Sequence, residues 1–156
     1  MLFVGESPPV GGTFFYQADS NLYRYTRAAF AAALGEEVGV GEAFLRFFRS
    51  HGCYLDDLCL SAVNGLDGPT RRRMRAAAVP SLAERMKRYT PSALVAVMTA
   101  IRPQVESAAR LAGADALPFF VTRFPTFGHQ HTYVAGLAEV LRTLRREGLL
   151  EKGPLP

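Results

Sequence analysis

The sequence contains no tryptophan, only two cysteines and no long apolar segment. Two thiols, Cys53 and Cys59, are too few for a four-cysteine metal cluster or a disulfide framework, so we expect a protein of the reducing cytoplasm. No apolar run reaches the roughly 18 residues that a transmembrane helix needs, which argues against such a helix. The first residues lack the basic stretch that opens a secretory signal peptide, so none is expected.

The overall composition is that of a folded protein. Of 156 residues, 49% are hydrophobic and 21% are charged, a balance that disordered chains do not have. This length suits one domain of ordinary size, which we place at 1–150 with a loose tail at 151–156. The formal charge of +4 permits a polyanionic partner without requiring one.

Along the chain, apolar residues occur alternately in short continuous runs, which are typical of buried strands, and at helical spacing. Asp19 or Ser20 is expected to cap the first helix, and Gly35 to end it. Strands are predicted at 1–4, 53–60, 93–98 and 117–122, and helices at 21–34, 41–50, a basic segment starting near 70, 80–89, 103–111 and 132–147.

This alternation predicts the fold class α/β, as a three-layer α/β/α fold with a central, mostly parallel four-stranded sheet. In such sheets, ligands bind beyond the carboxyl ends of the strands. Three loops fall at those ends, at 5–16, near 56–65 and at 123–132, and they contain most of the unusual polar and aromatic residues.

The first of these loops opens with Gly5-Glu6-Ser7-Pro8-Pro9. A carboxylate one residue past a buried strand would lie at the ligand-binding edge, where Glu6 could orient water or face a developing positive charge. The alternative is that Glu6 caps a turn or forms a surface ion pair.

The loop at 123–132 combines hydroxyl, imidazole and aromatic side chains. The start of the helix that follows offers backbone donors for a phosphate. His129 and His131 lie two residues apart with no third ligand in view, so we predict no metal site. The alternative is an ordinary loop in which Phe124 and Phe127 pack inward.

Together these segments resemble the uracil-DNA glycosylase superfamily, from residue 3 to about residue 145. The first motif is similar to the family's Gly-Glu-Ala-Pro-Gly, and Gly12-Thr13-Phe14-Phe15 is similar to its Gly-x-x-Phe step. Asp57 stands at the position of the family's base-reading Asn. Phe124-Pro125-Thr126 stands at the position of its His-Pro-Ser motif.

Three departures from the family qualify this resemblance. The branch with Glu in the first motif usually carries a four-cysteine iron–sulfur cluster, which two cysteines cannot hold, so we expect no metal cluster and no cofactor. Asn offers a donor and an acceptor, whereas an ionised Asp57 only accepts, so a different base or a protonated Asp57 is implied. Phe124 cannot stabilise an anionic leaving base as the family's His does, although His129 or His131 could.

The resemblance implies cleavage of the N-glycosidic bond of a nucleotide flipped out of DNA into a pocket. Phe15 would stack on the base, and Phe127 would enter the gap in the duplex. The implied catalytic residues are Glu6 and His129; the base-binding residues are Gly5, Ser7, Phe15, Asp57 and Phe124; the DNA-binding residues are Pro8, Thr126, Phe127, His131, Arg71 and Arg72.

The basic run from Arg71 to Arg75 has two interpretations, a solvated helix face or a set of phosphate contacts that would make binding salt-dependent. For Arg85, Lys87 and Arg88 we predict a solvated surface.

The first hypothesis is therefore a monomeric DNA glycosylase-like hydrolase acting on a damaged or deaminated base, with DNA as partner and no membrane association. The alternative is a member of the same fold that binds DNA or a nucleotide without turnover. A third possibility is a small-molecule hydrolase, because a fold alone does not determine a function.

Overall fold

The computed structural model describes residues 1–150, and the tail predicted at 151–156 lies outside the described residues. The strands are β1 (Leu2–Gly5), β2 (Tyr54–Asp57), β3 (Leu94–Ala96) and β4 (Phe119–Val121). The helices are α1 (Asn21–Leu34), α2 (Glu42–Ser50), α3 (Gly68–Tyr89), α4 (Arg102–Ala112) and α5 (Gln130–Arg146), with short 3-10 turns at Phe15–Gln17 and Thr99–Ile101.

The four strands form one parallel sheet in the order β2-β1-β3-β4. Leu2 lies opposite Leu94, and Leu94 lies opposite Phe119, which sets the register of the three strands β1, β3 and β4. The predicted fold class is confirmed, because this sheet and its helices are consistent with a three-layer α/β/α fold.

Contacts within the chain group into two compact units. The sheet unit comprises Leu2–Gly12 and Leu55–Val121, and the helical unit comprises Met1, Thr13–Tyr54 and the chain from Thr122 onward.

In the sheet unit, α3 and α4 pack with the strands around an aliphatic core. The apolar residues of these short strands are mostly buried, as expected for a parallel sheet. The core includes Leu2, Val4, Leu58, Leu82, Met86, Leu94, Ala96, Ile101 and Val105.

In the helical unit, α1 packs on α5 and an aromatic cluster fills the space beside α2. Thr26 and Tyr133 share a buried hydrogen bond of 2.7 Å between α1 and α5. The rings of Phe30, Phe44 and Phe48 meet mostly edge to face or tilted, the arrangements that aromatic pairs favour.

The start of α1 resolves the choice between two capping residues. The hydroxyl oxygen of Ser20 accepts from the backbone N–H of Tyr23 at 3.1 Å, so Ser20 is the cap. Asp19 instead accepts from the N–H of Phe14 at 2.7 Å. Gly35 ends the helix at φ 68°, as predicted.

The two helices predicted at 70 and at 80–89 are a single helix, α3, so that prediction is wrong. Pro80 lies inside it. A proline removes one hydrogen bond and strains the helix, but Leu82, Ala83 and Met86 are buried in the core, and this burial holds the second half in line. β2 is also shorter than the predicted 53–60, whereas the other boundaries differ from prediction by a few residues.

No helix among residues 1–150 is both long and apolar enough to cross a membrane.

Candidate functional site

Glu6 lies one residue beyond the end of β1 and is 9% exposed. Its carboxylate accepts two hydrogen bonds from Arg71, one of them at 2.6 Å from Nε to Oε1, and a third at 2.5 Å from Nε of Arg75. Both carboxylate oxygens are therefore held by guanidinium groups from α3. Pairing of both oxygens with guanidinium groups fixes the position of a carboxylate and favours its ionised form.

The placement of the two arginines follows from local helix geometry. Asp67 caps α3 by accepting from the N–H of Thr70 at 2.9 Å. Residues four apart lie on the same face of a helix, so Arg71 and Arg75 both face Glu6. Between them, Arg72 is exposed and Arg73 is exposed beside the hydroxyl of Thr70.

The basic run thus divides between two environments. The prediction of a solvated helix face is correct for Arg72 and Arg73 and wrong for Arg71 and Arg75, which pair with Glu6. The interpretation of Glu6 as an exposed surface ion pair is likewise wrong, because its pairing is buried.

Burial by itself would raise the pKa of Glu6, but the hydrogen bonds and positive charges of Arg71 and Arg75 outweigh it and lower the pKa below its usual value. Glu6 is therefore ionised at neutral pH and is a weak proton acceptor. Its remaining capacity is electrostatic: it places a fixed negative charge at the edge of the sheet.

A second ion pair anchors the end of β2 to α3. Arg85 is 6% exposed and donates to Asp56 Oδ2 at 2.6 Å, to Ser81 Oγ at 2.7 Å and to the carbonyl of Asp57 at 2.5 Å. The predicted solvated surface is correct for Lys87 and Arg88 and wrong for Arg85.

The sequence did contain a signal for the burial of Arg85. It lies three residues after Leu82 and immediately before Met86, inside the apolar stripe of α3. A charged residue within such a stripe requires a buried partner, and the odd Asp56-Asp57 pair at the end of a predicted strand supplies one.

Unlike the nearby carboxyl groups of Glu6 and Asp56, the carboxyl group of Asp57 receives no hydrogen bond from the described residues. A Cβ on Gly5 would come within 2.3 Å of Asp57 Oδ1, so any other residue at position 5 would require the Asp57 side chain to move. Burial, then the negative charge of Asp56, raise the pKa of Asp57 to about 6; Glu6 adds to the effect and Arg85 opposes it.

Ser7 joins the first motif to the loop after β2. Its hydroxyl accepts from the N–H of Val63 at 3.2 Å and donates to the carbonyl of Pro8 at 3.2 Å. The backbone of Cys59 adds a bond from its N–H to the carbonyl of Glu6 at 2.8 Å. These contacts hold the first motif and the end of β2 together, as the sequence predicts for two loops at one sheet edge.

Phe15 belongs to the helical unit and is 3% exposed. Its ring contacts those of Tyr16, Tyr23 and Phe48 at centroid distances of 5.2, 6.1 and 5.3 Å. A base could stack on this ring only after a neighbour moved aside, so the stacking role stays a prediction.

The loop at 123–132 is also part of the helical unit. The N–H of Thr126 donates to the carbonyl of Phe124 at 2.8 Å, and the N–H of His129 donates to the carbonyl of Thr126 at 3.0 Å. Phe127 projects from this turn, 95% exposed and with φ 52°. The alternative in which Phe127 packs inward is therefore wrong.

The histidines of this loop lie at the start of α5. His129 is the residue before the helix and makes no side-chain capping bond, and His131 is exposed in the first turn. Phe124 and Thr126 are partly exposed. Thr126 and the histidines are predicted to contact phosphates and Phe124 to contact the base, and the role of each stays a prediction.

Within the described residues, no group of three or more His, Cys, Asp or Glu side chains is arranged to hold a metal ion. Both cysteines are buried. Burial raises the pKa of the Cys59 thiol, and the charge of nearby Glu6 raises it further, so this thiol is neutral rather than a nucleophilic thiolate.

The sheet unit therefore brings together Gly5, Glu6, Ser7, Asp57 and Arg71 from the predicted site and adds Arg75, Asp56 and Arg85. Two carboxyl groups at the ends of neighbouring strands are the chemically distinctive part of this group. When the chain is compared with models of known protein families and with curated proteins, none matches.

Proposed function

We propose that the protein is a DNA glycosylase-like hydrolase that cleaves the N-glycosidic bond of a flipped damaged or deaminated base. The observation that supports this is the pair of carboxyl groups at the ends of β1 and β2, whose pKa values are shifted in opposite directions: Glu6 downward and Asp57 upward to about 6. Carboxyl pairs with separated pKa values divide the acid–base and electrostatic roles of glycosidic cleavage.

The chemistry suits these two groups. As the bond between C1′ and the base breaks, its electron pair leaves with the base and the sugar gains positive charge. The ionised Glu6 stabilises that charge, since arginines fix its position before the reaction begins. Water bonds to C1′ and loses a proton to Asp57, while the departing base takes a proton from solvent.

The charge distribution supports DNA as the partner. The net charge is +4, and Arg72 and Arg73 are exposed on the first turns of α3, the helix that holds Glu6. In the helical unit, the exposed ring of Phe127 has the character of an apolar wedge that enters a base step.

The second candidate is binding of DNA or a nucleotide without turnover. The pairing of both Glu6 oxygens with arginines favours it, because a carboxylate so neutralised stabilises a cationic sugar less well. Phe124 at the position of the family's histidine also favours it.

Release of free base from oligonucleotides that contain uracil, hypoxanthine or xanthine tests the first candidate. We expect Glu6→Gln and Asp57→Asn each to lower the rate by at least about a hundredfold, the range for removal of an electrostatic or general-base group. Glu84→Gln and Asp115→Asn are matched controls at exposed carboxylates and should leave the rate unchanged.

If the folded protein retains these oligonucleotides at low salt and releases no base from any of them, the first candidate is wrong and binding without turnover is supported. If base is released and Glu6→Gln is as active as the parent, the release does not depend on this site.

A further inference from the structure

Beside the buried Phe15, the helical unit presents a group of exposed aromatic rings. The ring centroid of Tyr16 lies 5.8 Å from that of Phe14 and 6.1 Å from that of Tyr54. Tyr16 is 38% and Tyr54 46% exposed, and Phe14 is partly exposed. We call Phe14, Tyr16 and Tyr54 the aromatic face. Exposed aromatic residues that lie together are typical of binding surfaces, in which such residues are enriched.

The rings of the aromatic face are held by packing and by the backbone. Tyr16 packs edge to face on Phe15 at 5.2 Å, and Phe15 in turn packs on the buried Phe48 at 5.3 Å. The backbone N–H of Tyr54 donates to the carbonyl of Met1 at 3.1 Å. The positions of the rings are therefore set before a ligand arrives, which reduces the entropic cost of binding.

The aromatic face lies at a defined end of the helical unit. Thr26 bonds to Tyr133 near the starts of α1 and α5, and farther along both helices Arg142 donates to the carbonyl of Ala32 at 2.9 Å. The two helices therefore run parallel, and their starts lie at the same end of the unit. The 3-10 turn that contains Tyr16 lies just before α1, so the aromatic face belongs to this end.

The same end has exposed positive charge. Arg24 is exposed in the first turn of α1, and Arg123 is exposed in the loop that leads into α5. Asp19 also lies here, where it accepts from the N–H of Phe14 at 2.7 Å. Four acidic residues of the unit lie toward the far ends of the two helices: Glu36, Glu37, Glu139 and Glu147. A ligand at the near end therefore meets aromatic rings together with positive charge.

Single-stranded DNA combines the two features that such a surface recognises. Its unpaired bases expose flat faces that stack on aromatic rings, and its phosphates attract arginines. We propose that the aromatic face binds single-stranded DNA by stacking of unpaired bases, with Arg24 and Arg123 close to the backbone. The proposal rests on the proposed function, for which it names the form of DNA.

This stacking is distinct from that of the flipped base. The ring of Phe15, to which the resemblance assigns the flipped base, is buried, whereas the rings of Tyr16 and Tyr54 are reached by solvent. Nucleotides beside the target base can thus stack on the aromatic face without rearrangement of the protein. In a duplex the faces of the bases are covered by their neighbours, so the aromatic face should contribute little to duplex binding.

Fluorescence anisotropy with a labelled thymidine oligonucleotide of about twelve residues, single-stranded or annealed to its complement, tests the proposal. We expect Tyr16→Leu and Tyr54→Leu each to weaken single-strand binding by at least about fivefold, the lower range for loss of one stacked base, and to leave duplex binding close to the parent's. Tyr16→Phe and Tyr54→Phe keep the ring and should bind the single strand as the parent does. Tyr89→Leu, at a tyrosine of the sheet unit that is also 38% exposed, is the matched control.

Intrinsic fluorescence provides a second readout, which detects the stacking itself. The chain has no tryptophan, so its emission comes from its tyrosines. Stacking of a base on a tyrosine ring quenches that emission. We expect saturation with the single strand to quench the parent, and the quenching to be largely lost when Tyr16→Phe and Tyr54→Phe are combined, although this double variant still binds.

The role of the two arginines is measured by salt dependence. Replacing both Arg24 and Arg123 by Gln should lower the slope of log affinity against log salt for the single strand by about 1.4, the value for two phosphate contacts. Arg145→Gln with Arg146→Gln removes two exposed charges from the far end of α5 and should lower the slope less.

The proposal is overturned if the single strand is not bound, if the leucine variants bind it as the parent does, or if they lose duplex binding to the same extent. Quenching that persists in the double phenylalanine variant also overturns it, and an equal loss of slope in the two arginine pairs overturns the assignment of Arg24 and Arg123. The base-release assay reports separately on the proposed function. Base release without ring-dependent binding of the single strand would remove the role of the aromatic face alone. Ring-dependent binding without base release would support that role and leave binding without turnover as the function.

Discussion

At the scale of single residues, Glu6 and Asp57 show how the same functional group is given opposite properties by its neighbours. Glu6 is surrounded by guanidinium donors and remains charged, whereas burial, and then the neighbouring carboxylates, raise the pKa of Asp57. Perturbed pKa values of carboxyl groups cluster at functional sites, which is consistent with the role proposed for this pair.

Replacing Glu6 by Gln should destabilise the protein at pH 7 by roughly 2–3 kcal/mol, because it leaves two partly buried arginines without their counter-charge. The pKa of Glu6 is lowered from 4.5, so its ionised form stabilises the fold above pH 4.5, and this stabilisation is lost as the pH falls below that value. Denaturant unfolding of parent and variant should therefore converge in acid. The exposed Glu84→Gln is the control, with an expected change of at most about 0.5 kcal/mol.

Replacing Asp57 by Asn should have the opposite effect on stability. The folded-state pKa is raised from 3.8 to about 6, so the protonated form stabilises the fold at low pH and this contribution is lost as the pH rises through 6. Above pH 6 the variant should be more stable than the parent by roughly 2 kcal/mol, after a discount for the partial exposure of the group, and near pH 4 the two should be equal.

Thermal unfolding at pH 4 and pH 8 measures this difference. An Asp57→Asn variant that is less stable than the parent at pH 8 would show that the carboxylate has a partner and would remove the argument for an unpaired acceptor.

At the scale of elements, α3 is the helix on which the charged site depends. One face supplies Arg71 and Arg75 to Glu6, and about three turns later Arg85 holds the end of β2. Pro80 lies between these two groups of arginines. One backbone hydrogen bond of α3 is therefore missing between the part that contacts the end of β1 and the part that contacts the end of β2.

Replacing Pro80 by Ala should stabilise the protein by about 1–2 kcal/mol. The variant restores a donor to the carbonyl of Ala76 and relieves the clash of the ring, a gain of roughly 3 kcal/mol that the larger entropy of the unfolded chain partly offsets. Chemical denaturation measures the change. Pro103 in the first turn of α4 is the matched control, because proline is tolerated there and its replacement by Ala should not stabilise.

In the helical unit, the hydrogen bond between Thr26 and Tyr133 should contribute measurably to the free energy of unfolding, because it joins α1 to α5. Tyr133→Phe leaves the buried hydroxyl of Thr26 without a partner and should cost about 1–2 kcal/mol. Adding Thr26→Val should recover part of the loss, since both polar groups are then removed. Additive losses in the double variant would contradict a direct bond.

At the scale of the whole molecule, the net charge of +4 is less informative than its distribution. Two of the arginines at the start of α3 are paired with the single carboxylate of Glu6 and two are exposed. If the protein binds DNA through this end of α3, replacing both Arg72 and Arg73 by Gln should lower the slope of log affinity against log salt by about 1.5–2, one phosphate contact for each arginine.

Binding titrations at several salt concentrations provide the measurement. Lys87→Gln with Arg88→Gln removes two exposed charges from the far end of the same helix and is the matched control. An equal loss of slope in both double variants would indicate binding through net charge rather than through this surface.

The sequence by itself determined the alternation of strands and helices, the parallel sheet, the end of α1 and the loops at which polar residues collect, and it limited the cap of α1 to Asp19 or Ser20. These features depend on local spacing of apolar residues and on turn chemistry, which a short segment specifies without reference to the rest of the chain. It also placed Glu6 and Asp57 at the ends of strands, because the position of a residue after a buried run is a local property.

The tertiary structure alone decided what these side chains contact. Glu6 meets arginines 65 and 69 residues away, and Arg85 meets Asp56 across 29 residues. Such pairs depend on where α3 packs against the strands, and that packing is driven by non-directional burial of apolar surface in the core. Periodicity identifies a basic face on a helix, but only the packed structure shows which of its charges are paired with a buried carboxylate and which remain exposed.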